Sequence, residues 1–356
     1  MKTLYFTKYA RNAGSSRLRS FQYIPYLEEA GFKVEVSSLF SEKYLENLYS
    51  GKSTFKESLK GYIQRFLTLF AVGKYDVLII EKELFPYLPA CFEWFLKWIG
   101  VKYIVDYDDA IFHNYDQSSN PIIRHFLSRK IATVMKNASV VVAGNAYLAD
   151  YAKNAGAKKV EIIPTVIDLD RYPQKKHSQG SSDFIVGWIG TRSTFEKHLA
   201  PCKNWIRELE MSHPEIKFHV VGIPTDMGMG KNVKFIPWSE ETEVAEIQKM
   251  DVGIMPLQNS LWEKGKCAYK LIQYAASGVP GIASDVGMNK EVTIPNETGY
   301  LVDSAEEWKQ KIIELKNNKE ARIRLGENAR KLVEENYCIQ VTAGKWVRIL
   351  KETNGG

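Results

Sequence analysis

Two α/β domains, each a doubly wound parallel sheet, are the architecture that this sequence predicts, on three observations. Short apolar runs of strand length alternate with amphipathic stretches of helix length along most of the chain. At 356 residues the chain exceeds one ordinary core, and two domains of roughly 170 residues suit the usual domain size. Several strands run into glycine-containing loops that open helices, where open parallel sheets receive ligands.

Composition narrows the class. Apolar residues make up 45% and charged residues 25%, as in soluble globular enzymes. Cys91, Cys202, Cys267 and Cys338 are too scattered for a disulfide framework or a zinc spacing and suit a reducing compartment. No secretory leader is expected, because the apolar run after Lys2 breaks at Lys8 without a small-residue cleavage site. Residues 84–100 are the most hydrophobic, but Pro86, Pro89, Glu93 and Lys97 make them too broken to span a bilayer. The net charge of +6 is uneven, with 23 Lys+Arg against 18 Asp+Glu in residues 1–172. A basic first half suits an anionic partner or a membrane surface, and equally a merely solvated face.

In chain order, residues 3–7 read as a strand, 16–30 as an amphipathic helix ended by Gly31, and 32–37 as a strand. The loop of residues 8–17 between them carries Gly14, Ser15, Arg11 and Arg17. Residues 41–73 read as helical, with Lys52, Lys56, Lys60 and Arg65 as a basic wet side that also suits anionic lipid. Residues 75–80 form a buried strand ending in Glu81-Lys-Glu83, and residues 104–109 a second one running into acid. Asp106, Asp108 and Asp109, with His113 behind, crowd that end. Close carboxylates raise one another's pKa and so prepare a general base; a divalent metal site and a helix-capping loop are the other readings. A helix over 121–137, a strand over 138–143, a helix over 145–154 and a strand at 160–164 close this half. Residues 174–183 are polar and aperiodic and read as a linker.

The second half restarts with a strand over 184–189, then Gly190-Thr-Arg-Ser-Thr194 and a helix over 195–211, with Ser193 and Glu196 at capping-box spacing. Arg192 and Lys197 stand ready for phosphate charge at this helix start. Strands at 217–221 and 233–236 and a helix over 241–249 lead to Asp251-Val-Gly-Ile-Met-Pro-Leu257. The stretch from Gly265 to Pro280 then predicts a helix of about three turns closed by Gly278 and Pro280, a second anion site at a helix start. Residues 281–285 are another short strand. The tail, 305–353, is helical in pattern, with Trp308, Leu315, Leu325, Leu332, Tyr337 and Trp346 as apolar anchors.

These residues resemble the retaining nucleotide-sugar glycosyltransferases of family 4. The resemblance rests on Asp251-Val-Gly-Ile-Met-Pro-Leu257, Gly265-Lys-Cys267, Lys270-Leu-Ile-Gln-Tyr-Ala-Ala-Ser-Gly278-Val-Pro280, Ser284-Asp-Val-Gly287 and Asn296-Glu-Thr-Gly-Tyr-Leu301, with Ile163-Pro-Thr-Val-Ile-Asp168 and Ser15-Ser-Arg-Leu-Arg19 in the first half. It implies the GT-B fold: two Rossmann-like domains facing across a cleft, with C-terminal helices crossing back to the first. The domains are then 1–172 for the acceptor, 184–335 for the nucleotide sugar, a linker at 173–183, and a helix at 336–356 packing on the first domain. The family's paired glutamates are replaced here by Gly265 and Gln273.

Carried over by position, the resemblance implies transfer of a sugar from a nucleoside diphosphate to a lipid-linked or oligosaccharide acceptor with anomeric retention, in surface polysaccharide or glycoconjugate synthesis. Arg192 and Lys197 clamp the diphosphate, and Asp108, then Asp106 and Asp109, match the catalytic place in the first domain. Gly14, Ser15, Gly190, Thr191, Lys266, Ala268, Tyr269, Lys270 and Gln273 are donor-side residues; Arg17, Glu83 and His113 are acceptor-side. No cofactor, metal or nucleic-acid partner is expected. The location expected is the cytoplasm, with peripheral association at the inner face of an anionic plasma membrane. The alternatives are a non-catalytic nucleotide-sugar-binding relative and a GT-B sugar-nucleotide epimerase.

Overall fold

The computed structural model describes residues 1–174 and 183–355 and divides into two compact units. The first unit comprises Met1–Thr165, Gly265–Cys267 and the C-terminal segment from Thr342 onward. Its strands are β1 (Lys2–Tyr9), β2 (Lys33–Phe40), β3 (Val77–Glu81), β4 (Tyr103–Tyr107), β5 (Val140–Ala143) and β6 (Val160–Ile162). They form one parallel sheet in the order β2-β1-β3-β4-β5-β6. β3, β4 and β5 are buried at every position, which is why they read as continuous apolar runs. The order reverses between β1 and β3, and the crevice beyond their carboxyl ends is where such sheets take ligands. The tail joins this unit through Tyr23, whose hydroxyl lies 2.8 Å from that of Thr342 and whose ring packs 5.9 Å from that of Trp346.

The second unit, Val166–Lys264 and Ala268–Val341, holds β7 (Phe184–Ile189), β8 (Ile216–Val221), β9 (Val233–Ile236), β10 (Val252–Met255), β11 (Gly281–Ser284) and β12 (Gly299–Val302). They pair in parallel in the order β12-β11-β10-β7-β8-β9, with the reversal between β7 and β10. Trp188, Phe195, Trp205 and Trp308 anchor its core, the last two stacked at 5.8 Å. The doubly wound parallel α/β architecture is therefore the one that the strand–helix alternation predicts.

Several elements differ from expectation. The expected linker lies mostly outside the described residues. Residues 41–73 make two helices, Glu42–Tyr49 and Phe55–Leu69, and residues 121–137 split into Pro121–Leu127 and Lys130–Asn137. The helix expected over 195–211 is interrupted by a π-helical stretch, Phe195–Leu199, and a 3₁₀ turn, Ala200–Cys202, before Lys203–Ser212. Pro201, which has no N–H to give, sits in that 3₁₀ turn. Ser193 and Glu196 do not form a capping box: Thr191 is the N-cap, its hydroxyl meeting those of Ser193 and Thr194 and accepting from no helix N–H, and Glu196 accepts from Arg192 instead. Ser304 and Glu307 do form one, at the start of Ala305–Asn317. Leu332 is only partly buried, and its neighbour Val333 takes the anchoring position.

Arg65 is the largest departure. Read as part of a wet basic side, it is 1% exposed, and its guanidinium donates to Thr7 O at 2.6 Å and Ser37 O at 2.7 Å. Burial lowers it to about 9.

Candidate functional site

In the first unit the candidate site lies at the carboxyl ends of β3 and β4, where Asp106, Asp108 and Asp109 each meet a cation. Arg19 Nε donates to Asp106 Oδ2 at 3.0 Å, a second guanidinium nitrogen pairs with Oδ1, and the third donates to Ile163 O at 2.8 Å. Both side chains are 1% exposed. Burial pushes the Asp106 carboxyl up while Arg19 draws it back, and Asp106 more than reverses the lowering that burial imposes on Arg19. Arg19, at the end of the helix Gly14–Arg19, is therefore a core ion-pair residue.

Lys82 holds the other two acids. Its backbone has φ of 68°, and Glu83 N–H donates to Glu81 O at 2.8 Å across it, the rarer hand of γ-turn. Such a conformation costs on the order of 1–3 kcal/mol at a non-glycine residue and is held by its surroundings. The turn sends Nζ to 2.9 Å from Asp108 Oδ1 and 3.6 Å from Asp109 Oδ2. Burial pushes the Asp108 carboxyl up, but Lys82, Arg19 and Lys266 together hold it below its ordinary value. The expectation that crowding raises these acids into general bases is thus corrected for Asp108, because each negative charge has a nearby positive one. Among the described residues no group of three or more His, Cys, Asp and Glu side chains is arranged to hold a metal ion.

Gly265–Cys267 completes this loop cluster. Lys266 Nζ lies 3.1 Å from Asp109 Oδ1, Cys267 Sγ donates to Asp108 O at 2.9 Å, and Asn145 Nδ2 donates to Lys266 O at 3.1 Å. Burial pushes the Cys267 thiol up to about 12. A Cβ at Gly265 would lie 2.5 Å from Ala110 Cβ and 2.8 Å from Ala110 N. That contact is the physical reason a glutamate does not fit this position.

The remaining first-unit candidates are dispersed. Gly14 opens the helix Gly14–Arg19 and is exposed, Ser15 is half-buried, and Arg17 is buried. Glu83 is not presented to a ligand: it is 5% exposed, receives the Tyr115 hydroxyl at 2.7 and 2.9 Å, and pairs with Lys130. His113 has both ring nitrogens engaged, at 2.8 Å from Asp116 Oδ1 and 2.9 Å from the Tyr147 hydroxyl.

In the second unit, Gly190 follows β7 at the switch point, its N–H bonded to Val221 O at 3.0 Å, and Thr191 starts the short helix Arg192–Thr194. Arg192 is exposed and pairs with Glu196 at 2.9 Å. Lys197 pairs with Glu263, a fully buried carboxylate that also accepts from the Ser260 hydroxyl and has His198 Nε2 at 3.6 Å. Burial pushes the Glu263 carboxyl up, but the bonds from Lys197 and Ser260 lower it below its ordinary value. Arg192 and Lys197 are thus both held by acids. Glu263 escaped the sequence reading; its one signal is its place two residues before Gly265.

The helix expected within Gly265–Pro280 spans Tyr269–Ala276, shorter than expected, because Gly265–Cys267 belongs to the other unit. Ala268 enters it at φ of 50° and Gly278 leaves it at 74°, the latter being the left-handed C-cap that the sequence implies. Tyr269 and Lys270 lie in its first turn, half-buried, with Lys270 Nζ 5.3 Å from the centre of the Trp188 ring. Gln273 is 3% exposed, and its amide donates to the Tyr172 hydroxyl at 3.0 Å, which donates to Glu243 Oε1 at 2.8 Å. Trp238 Nε1 donates to the other Glu243 oxygen at 2.6 Å. Tyr172 and Glu243 lie about 100 and 30 residues from Gln273 in sequence, a separation that hides such networks from local pattern reading.

Residues 183–332 match the model of the family "Glycosyl transferases group 1", so the second unit carries a domain of that kind. No curated protein matches the chain. Among solved structures it is similar to a glycosyltransferase from Rickettsia africae, with a TM-score of 0.71 and 16% identity over 99% of this chain and 98% of that one. It is similar to sucrose-phosphate synthase from Thermosynechococcus elongatus, at 0.68 and 14% over 99% and 98%. HepE of Anabaena, in complex with UDP and glucose, gives 0.68 and 14% over 99% and 100%. The shared fold is GT-B: two six-stranded parallel sheets with their helices.

Proposed function

We propose that the protein is a retaining glycosyltransferase of family 4, which moves a sugar from a nucleoside diphosphate to a lipid-linked or oligosaccharide acceptor in glycoconjugate or surface polysaccharide synthesis. The observation that carries the reading is the family match over residues 183–332, which spans both helix starts of the second unit. In this reading Arg192 and Lys197 exchange their partners Glu196 and Glu263 for the donor's diphosphate. They stabilise the negative charge that grows on the departing nucleotide, the role that positioned cations serve in phosphate leaving-group chemistry. Gly190, Thr191 and the first turn of Tyr269–Ala276 lie along the same diphosphate. Asp108, ionised beside Lys82, acts at the transferred sugar, with Asp106 and Asp109 fixing the loop; Gly14 and Ser15 approach the donor. No cofactor is required in this scheme.

HepE was seen with UDP and glucose, so a UDP-sugar is the first donor to offer. The test is a thermal-shift screen of nucleotides followed by sugar transfer. A ligand at a hundred times its dissociation constant adds about 2.7 kcal/mol of stability. Stabilisation by one nucleoside diphosphate and its sugar, with transfer lost in Arg192→Ala and Lys197→Ala, supports the reading. Full transfer by both variants contradicts the clamp. Binding without transfer is the second reading, favoured by the engagement of Gln273 with Tyr172 and by the crowding at Gly265.

A further inference from the structure

The helix Phe55–Leu69 is packed the wrong way round for a surface helix. Such helices bury an apolar stripe and show water a polar face. Here the buried side is Gly61 and Arg65, while Phe55, Leu59, Ile63 and Phe66, spaced four, four and three apart, are 71%, 52%, 52% and 45% exposed. Phe70, just beyond, is 78% exposed. The face continues across the Phe66–Phe92 ring contact at 6.2 Å to the helix Cys91–Trp98, whose Trp94 and Trp98 are 55% and 71% exposed. A groove of about 360 Å³, lined by Trp94, Phe126 and Arg129 among others, carries it on to Pro121–Leu127, where Phe126 is 73% exposed.

The charge on this face has one sign. Lys56, Lys60, Lys97, Arg124 and Arg129 are exposed along these segments. The acids in 55–70, 91–98 and 121–129 are Glu57, half-buried, and Glu93, 1% exposed. Aromatic and aliphatic side chains beside lysine and arginine on helices lying along a surface are what an anionic lipid interface binds. A second copy would bring like charge against like charge. No described helix is long and apolar enough to cross a membrane. We propose that the first unit docks on an anionic bilayer through the exposed face of Phe55–Leu69, Cys91–Trp98 and Pro121–Leu127, with the aromatic rings at headgroup depth. This surface is separate from the clamp residues, so it stands whether or not the donor reading does.

The test is co-sedimentation of the full chain with phosphatidylcholine vesicles containing or lacking phosphatidylglycerol. The protein is expected to pellet with the anionic vesicles and to release as salt rises. Reversing two charges in Lys56→Glu/Lys60→Glu is expected to lower partitioning by at least about tenfold. Phe70→Ser/Trp98→Ser is expected to abolish it with an unchanged melting temperature and unchanged nucleotide-induced shift. Absence from both vesicle pellets, or binding that neither variant alters, overturns the proposal. So does concentration-dependent dimerisation that Phe70→Ser/Trp98→Ser removes without vesicle binding, which would give the face to a second copy.

Discussion

Lys82 Nζ lies 2.9 Å from Asp108 Oδ1, delivered there by a backbone conformation that glycine usually supplies. The strained turn and the ion pair hold each other, and together they keep a carboxylate ionised at the mouth of the first sheet. In Lys82→Met that carboxylate loses its nearest cation. Removing one partner of a buried pair costs about 3–5 kcal/mol, so urea denaturation should show a loss of that order, and adding Asp108→Asn should recover part of it. An unchanged midpoint in Lys82→Met would contradict the pairing.

Restoring the family's first glutamate should not help this protein. Gly265→Glu drives a side chain into Ala110, against which even a Cβ is too close. Overpacking of this kind costs about 1–3 kcal/mol, and a denaturation midpoint equal to the parent's would show that the loop has room.

Gln273→Glu makes a sharper test, because the two residues are nearly the same shape. The Tyr172 hydroxyl gives its one proton to Glu243 and accepts from the Gln273 amide. A glutamate there has no proton to give unless it is neutral, and it faces Glu243. The variant should lose about 1–3 kcal/mol at neutral pH and regain part of this as acid protonates the new carboxyl. A pH-independent loss would mean that the hydrogen-bond polarity is not the cause.

Glu263 predicts an acid-side dependence of opposite sign. Its folded carboxyl titrates below the unfolded one through Lys197 and Ser260, against the effect of burial. Its contribution to stability is complete above the unfolded value of about 4.3 and is lost as pH falls through the lower folded value. Melting temperatures measured from pH 6 downward, roughly across that window, should therefore fall less steeply in Glu263→Gln than in the parent. Parallel curves would remove Glu263 from the account.

What the sequence discloses and what it hides divide along physical lines. Strands such as Val77–Glu81 and Val140–Ala143 are legible because complete burial leaves an unbroken apolar run, and the C-cap at Gly278 because left-handed backbone selects glycine. Lys82 breaks that rule and so gives no sign of its turn. Arg65 reads as a surface group, and Arg19 gives no sign of its ion pair, because charge in sequence says nothing about a buried partner; their partners Asp106, Thr7 and Ser37 come from other elements. The exposed apolar stripe of Phe55–Leu69 inverts the usual inference, since periodicity shows that a face exists and not what lies against it. The acid loop and the helix starts after Gly190 and Gly265 are legible in the sequence as local patterns; the contacts of Glu263, Tyr172 and Glu243 are not, because Lys197 and Gln273 lie far from them in the chain.

The central claim is transfer of sugar from a nucleoside diphosphate, and release of free nucleoside diphosphate measures it most directly. With UDP-sugars offered first and a lipid-linked or oligosaccharide acceptor present, the account predicts acceptor-dependent release by the parent protein. Arg192→Ala and Lys197→Ala should each slow it by at least about a hundredfold, the usual loss when a group that stabilises transition-state charge is removed. Release at the parent rate in both variants, or turnover of the donor into an isomeric nucleotide sugar without acceptor, would contradict it.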